Sequence, residues 1–478
     1  MDKVNKRKIF ILLISTFLLI YIMTMIYQIK KPLPEGLSYE GKIHNATEED
    51  IRFLFDLTYK DGKEIKVDQQ IFKQVFNTIN EAEQFIVLDF FLYNGYYDKE
   101  LNFPPLSETL THKLIEKKRK NPNMPIVLIT DEINTSYNSH KNEQFEKLKE
   151  AGIQIVFSDL DKLRDSIPLY SAFWRMFFKP FGQEGQGWLP NMMANQAPDM
   201  TLRSYLKLFN IKANHRKTVV TDKTALVLSG NPHDASAYHS NIAFELKGSI
   251  IRDLLASEQA VASYSNGPQL PSASSVEKPE GDHTVQLLTE GKVLKHVLQE
   301  IKETKAGDEL WLGMFYIAER KVIDAIYSAS ERGVNIKMIL DPNENAFGNK
   351  KSGLPNRPVA REFNEKSSGK INIRWYNTTN EQYHPKLMYI RKQNQAVIIG
   401  GSTNFTARNL DDLNLETNVK ISAPLNSSIT RETNDYFNKL WNNENGDFTL
   451  GFDKYQDTLT PLQRIIYAIQ KTTRFTTF

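Results

Sequence analysis

The order strand, helix, strand, short strand, His-x-Lys occurs twice along this chain. The first pass reads EAEQFIVLDFFLYN (81–94), a helix pattern ending KLIEKKRKNPNMP, the apolar run IVLITDEIN from Ile126, and AGIQIVFSD (151–159). The second reads KAGDELWLGMFYI (305–317), RKVIDAIYSASERGVN, IKMILDPNEN from Ile336, and GKINIRWYN (369–377). Short apolar strands alternating with amphipathic helices predict an α/β fold, with helices laid over the sheet. A repeat of this length makes the chain two similar halves, not one unrelated series of elements.

Between the copies, SNGPQLPSASSVEKPEGD (265–282) is rich in Pro, Ser and Gly and reads as a linker. The predicted organisation is a stub and membrane anchor (1–31), a first half (50–263), a linker (264–283), a second half (284–450) and a tail (451–478). An insertion, 166–200, interrupts the first half. Its part SIPLYSAFWRMFFKPFGQEGQGWLP (166–190) is dense in aromatics and has two basic residues. Such a segment fits either an interfacial stretch dipping into lipid or an ordinary buried helix with its loop.

From Ile9 to Tyr27 the chain reads IFILLISTFLLIYIMTMIY, nineteen residues without a charge. That length spans a bilayer, exceeds the usual apolar stretch of a signal peptide and lacks a small-residue cleavage site. A buried core helix is the alternative. Lys3, Lys6, Arg7 and Lys8 precede the run and Lys30 and Lys31 follow it. The excess before it favours an N-terminus inside, which would place the rest of the chain outside the cytoplasm. The rest of the composition mainly excludes. With 60 basic against 57 acidic residues, the net charge of +3 gives no overall field for nucleic acid. With no cysteine, disulfides, thiolate zinc sites and a cysteine nucleophile are all ruled out.

Two of the nine histidines open His-x-Lys pairs at matching places in the repeat: NHRKTVVTD (214–222) and YHPKLMYIR (383–391). On a strand, residues two apart share a face, so His215 with Lys217 and His384 with Lys386 each present an imidazole beside an ammonium. A phosphate needs such a pair. Each is followed by an apolar run ending in small residues and Asn: Ser229, Gly230 and Asn231, then Gly400, Gly401, Ser402 and Asn404. Small residues let backbone amides approach an oxyanion, and the Asn amide adds a donor. Glu245 and Glu416 come next, and an acid behind each imidazole would fix its tautomer. Asp131 and Asp341 close equivalent strands, where acids usually cap or turn. His233 and His239 have no counterparts in the second copy and read as loop residues, with contact to substrate as the alternative.

The doubled pattern resembles the phospholipase D superfamily, whose signature is His-x-Lys-x4-Asp followed by a Gly/Ser-rich stretch with Asn. The likeness covers about residues 80–445. His215, Lys217 and Asp222 fit the first signature, with Asn231 one place earlier than in many members. His384, Lys386, Ser402 and Asn404 fit the second, but Arg391 stands where the Asp would be. The resemblance implies a duplicated fold, two mixed β-sheet halves flanked by helices about a pseudo-twofold axis, with both motifs at one pocket. It implies His215 as nucleophile, forming a phosphohistidine, and His384 as general acid. Lys217, Lys386, Asn231 and Asn404 would hold the oxygens, supported by Ser402, Glu245 and Glu416, with no metal or other cofactor. Asp222 counts among the catalytic residues by signature, although its place between two apolar runs also suits a turn-maker. The expected activity, resembling bacterial cardiolipin synthases, is that of a membrane-anchored phosphodiesterase or phosphatidyltransferase acting on phospholipid. A nuclease of the same superfamily is the alternative, and a binding module with a decayed site is a third.

Overall fold

The computed structural model describes residues 3–98, 100–273, 281–346, 349–455 and 460–473. β1 (His44–Ala46) precedes the first half, which contributes β2 (Ile51–Phe55), β3 (Leu57–Asp61), β4 (Glu64–Asp68), β5 (Ile86–Phe90), β6 (Ile126–Thr130), β7 (Gln154–Phe157), β8 (Lys217–Thr221), β9 (Ala225–Leu228) and β10 (Ile242–Leu246). The second contributes β11 (His283–Thr289), β12 (Glu309–Met314), β13 (Asn335–Leu340), β14 (Asn345–Ala346), β15 (Asn349–Lys350), β16 (Ile371–Tyr376), β17 (Lys386–Arg391), β18 (Gln395–Gly401), β19 (Thr417–Pro424) and β20 (Thr449–Gly451). One sheet runs β2-β10-β9-β8-β5-β6-β7 and the other β1-β11-β19-β18-β17-β12-β13-β16-β20. Without its edge strands β1 and β20, the second sheet repeats the first strand for strand. In each, three strands run parallel, β5-β6-β7 and β12-β13-β16, and the rest pair antiparallel. The parallel pairs need crossovers, supplied by the helices Leu106–Lys120 and Glu143–Glu150 in the first half and Arg320–Glu331 and Asn356–Ser367 in the second.

The two sheets pack face to face, with the helices Ile250–Tyr264 and Ser428–Asn442 contributing to the core they share, and helices such as Ile71–Glu81 and Gly291–Lys302 cover their outer faces. Strand parity decides which residue goes where. Val87 and Val220 point into the central core, whereas Ile86, Leu88 and Val219 point outward under the helices of the first half. Leu387 and Tyr389 point inward and Met388 and Ile390 outward in the second half. Each such side chain contributes about 1.5–3 kcal/mol when fully buried, and the central core joins the halves into one body. Gly400 lies where the sheets pack closely: a Cβ there would stand 2.7 Å from the Phe244 ring. Its smallness serves packing between the halves.

The helix Lys3–Lys30 includes 25 residues, Lys6–Lys30, long and apolar enough to cross a membrane, and none of its apolar window is buried in the protein. That argues against the core-helix alternative. The insertion forms a helix, Pro168–Phe177, that buries Ala172 and Trp174 and exposes Leu169, Phe173 and Phe177. One face of this helix is thus packed on the protein and the other is an exposed apolar surface. It lies along the N-terminal helix: the Phe17 and Phe177 rings are 5.9 Å apart, and the Tyr21 hydroxyl donates to the Leu169 carbonyl. Of the linker expected at 264–283, residues 274–280 lie outside the described residues, as do 456–459 and 474–478 of the tail.

Candidate active site

Each histidine is held by the opposite half. The segment before His215 pairs with the segment before Glu416: His215 N–H donates to the Leu415 carbonyl at 2.9 Å and Leu415 N–H to the Ala213 carbonyl at 3.0 Å. The segment before His384 does the same with Ser240, at 2.8 and 3.0 Å. Beneath these crossings, Asp131 accepts from Asn214 N–H at 2.8 Å and Asp341 from Tyr383 N–H at 2.7 Å. The two strand-end acids thus clamp the backbone one residue before each histidine. Behind the clamps the halves differ in a coupled way. Asn214 hydrogen-bonds Asp89 in the first half; in the second, Tyr383 covers Gly313, where a Cβ would lie 2.6 Å from its hydroxyl.

The His215 Nδ1 faces both Glu416 oxygens, at 3.0 and 3.2 Å. A carboxylate only accepts, so Nδ1 carries the proton and Nε2 is left for chemistry. The Ser402 hydroxyl donates to Glu416 and accepts from Thr417 N–H, so it steadies the carboxylate without touching the imidazole. The His384 Nδ1 faces the Asn241 Oδ1 at 3.0 Å. Asn241 donates its own Nδ2 to the His239 carbonyl, which fixes the amide's orientation, and Ser229 donates to the same Oδ1. Asn241 is therefore the first-half counterpart of Glu416, with Ser229 matching Ser402.

The expectation that Glu245 backs a histidine is overturned. Glu245 lies four residues further along, about 13 Å at strand rise, and faces Arg52 across the β10–β2 pair at 3.6 Å. Asp222 is likewise no part of the site. It sits in the β8–β9 turn, at the far end of β8 from Lys217, and accepts from Glu83 and Gln84 N–H at 2.9 and 3.0 Å. Arg391 occupies the equivalent far end of β17, opposite Ala396 and Glu309, and the adjoining Lys392 is tied to Glu300 and Glu303. Asn231 and Asn404 both line the cavity, and the buried Asn404 Oδ1 has no hydrogen-bond partner among the described residues.

Lys217 and Lys386 are fully buried, and each donates to its own histidine's carbonyl at 2.7 Å. Phe91 lies edge-on to His215 at 5.2 Å, and Phe315 to His384 at 4.9 Å. These two rings and Asn241 escape the sequence reading, although aligning LDFF with LGMF sets Phe91 on Phe315, whereas Asp131 and Asp341, expected to cap or turn, do so through Ile133 and Asn343 N–H and clamp as well. His233 and His239, read as loop residues, line the cavity, and the His239 ring is 5.8 Å from His384.

The cavity between the halves holds about 570 Å³ and contains both imidazoles. Its size lies in the range of small-ligand sites. Burial lowers His215 to about 4 against the pull of Glu416, and lowers His384 well below the ordinary value, helped by the charge of Lys386. Burial also lowers Lys217 to about 7; Lys386 is lowered by burial and then by the charge of Lys217. The motifs are thus close enough to repel one another. An entering anion reverses that repulsion and raises these values, so its binding takes up protons. The free site is fully competent in Lys217 below about 7 and loses that proton above it, so anion affinity falls as pH rises through 7. Sulfate, dianionic throughout, should raise the melting temperature more at pH 6 than at pH 9. An equal effect at both would count against the cluster as an anion site.

Residues 297–441 match the family model described as "Cardiolipin synthase, PLD-like domain". Among curated proteins none matches the chain. Among solved structures, phosphatidylserine synthase of Haemophilus influenzae Rd KW20 is similar at TM-score 0.57 and 12% identity, covering 92% of this chain and 97% of that one. Polyphosphate kinase from Porphyromonas gingivalis gives a TM-score of 0.43 at 11% identity, over 89% of this chain and 56% of that one. Nuc from Salmonella typhimurium, a phospholipase D family member, gives 0.26 at 18% identity, over 34% and 95%. Residues 297–441 thus form a PLD-like domain of the cardiolipin synthase type, within a duplicated fold shared with the phosphatidylserine synthase structure, which supports a phosphodiesterase or phosphatidyltransferase.

Proposed function

We propose that the protein is a membrane-anchored phosphatidyltransferase or phospholipase that acts on phospholipid through a phosphohistidine. The observation that carries this reading is the convergence of His215 and His384 on one cavity, each with a buried lysine bonded to its carbonyl, in a chain whose N-terminal helix can cross a bilayer. His215, with Nδ1–H held by Glu416, offers the Nε2 lone pair to phosphorus. The bond to the departing alkoxide breaks as His384 delivers a proton to it. His384 then takes a proton from water or an alcohol, and the new oxygen displaces His215 from phosphorus. Glu416 stabilises the positive charge that a phosphorylated imidazole carries when Nδ1 keeps its proton. Lys217 and Lys386 neutralise the equatorial oxygens in a site from which water is largely excluded.

The test uses the full chain reconstituted in vesicles of phosphatidylglycerol or phosphatidylcholine, beside single-stranded DNA and without added metal. Consumption of phospholipid, with release or exchange of the headgroup alcohol, is the expected result. Cleavage of DNA alone would end the lipid reading and favour the nuclease. A net charge of +3 offers little of the long basic groove that single-strand binding requires.

A further inference from the structure

The insertion does more than cover the first sheet. Leu169, Phe173 and Phe177, at i, i+4 and i+8, are 66%, 42% and 41% exposed and form one apolar stripe. The charges nearby are neutralised: Arg175 is bound to Asp165 at 2.7 Å and Lys179 to Asp161 at 3.0 Å. The stripe runs beside the N-terminal helix, whose end is pinned to the same insertion by Asp165 N–H donating to the Gln28 carbonyl at 3.1 Å. Phe177 meets Phe17, ten residues before Tyr27, which at helical rise is about 15 Å along the axis. That is about half the hydrocarbon thickness of a bilayer. The other end of the insertion reaches the reaction: Met192, 69% exposed, lines the cavity that holds both histidines. Arg408 in the cavity wall donates to Ser166 at the insertion's start.

We infer that the insertion is a lip embedded in one leaflet: its helix enters the acyl layer beside the membrane span and holds the cavity mouth at the bilayer surface. The substrate phosphodiester then reaches the histidines while its acyl chains stay in the leaflet. This rests on the membrane-anchored reading above, but its test does not depend on catalysis.

Because the chain has no cysteine, single cysteines at Leu169, Phe173 and Phe177 can be spin-labelled in the full chain in phosphatidylglycerol vesicles. Ile14→Cys serves as the lipid reference and Lys63→Cys as the aqueous one. Collision with oxygen above collision with a water-soluble nickel chelate, as at Ile14, is expected at all three positions. Values like those at Lys63 overturn the lip, whatever the activity. The variant Phe173→Lys should lower vesicle-phospholipid turnover tenfold or more and leave soluble bis(p-nitrophenyl) phosphate hydrolysis within twofold. Equal effects on both substrates overturn the delivery role. If the labels lie in lipid but the wild-type chain leaves phospholipid untouched, the lip stands and the lipid-substrate reading falls.

Discussion

Alanine in place of His215 or of His384 should lower phosphodiester turnover by about 10⁴-fold or more, since in the proposed scheme one side chain forms the covalent bond and the other moves the proton. A leaving group of low basicity separates the two roles. With a p-nitrophenyl diester, His384→Ala no longer needs a proton for departure and should accumulate an acid-labile phosphoenzyme. His215→Ala should form none. Label appearing in the His215 variant instead would exchange the two roles, and turnover by the double variant would sink the scheme. Asp222→Ala should stay within about twofold of wild-type turnover, because its two hydrogen bonds lie in an exposed turn at the far end of β8 and contribute about 1 kcal/mol of stability each.

The variant Arg216→Met should destabilise the folded chain by about 3–5 kcal/mol, the cost of leaving buried acids without their cation. Arg216 lies between the two site residues of the first motif but points the other way, with no exposed surface. It binds Glu290 of the second half at 2.7 Å and approaches Glu258 at 3.5 Å. The same Glu290 oxygen accepts from Glu416 N–H at 3.0 Å, so the ion pair also seats the carboxylate behind His215. For a cooperative unit of this size the loss corresponds to a fall of roughly 4 °C in melting temperature. Adding Glu290→Gln should restore part of it by removing the uncompensated charge. A single variant that melts with the wild type would mean that the cluster carries no stability.

The strands that deliver the lysines were legible because parity alone places Lys217 and Lys386, and the two passes of the repeat gave the sheet order its symmetry. The partner of His384 was not legible. Glu245 was chosen by residue type, but the position is set by which residue the Ser229 hydroxyl can reach, twelve residues on, and an amide stands there. The exchange of partners between halves left no trace either, because a repeat shows that two units are alike without showing that each completes the other. The edge strand β1 lies in the sequence before the first half yet pairs with β11 of the second. Three residues of that kind carry no periodicity of their own. The insertion's composition announced apolar surface, whereas its alignment on the N-terminal helix depends on contacts made across about 150 residues of chain.

The strand crossings that place Leu415 beside Ala213 and Ser240 beside Gln382 are the contacts a twofold dimer would make at its axis. In such a dimer every substitution is made twice, so both imidazoles must share one kind of partner. Joining the two copies in a single polypeptide lifts that obligation. One histidine can then lie against a carboxylate and the other against an amide, and a reaction that asks one imidazole to bond phosphorus and the other to carry the protons can be served by two unlike groups.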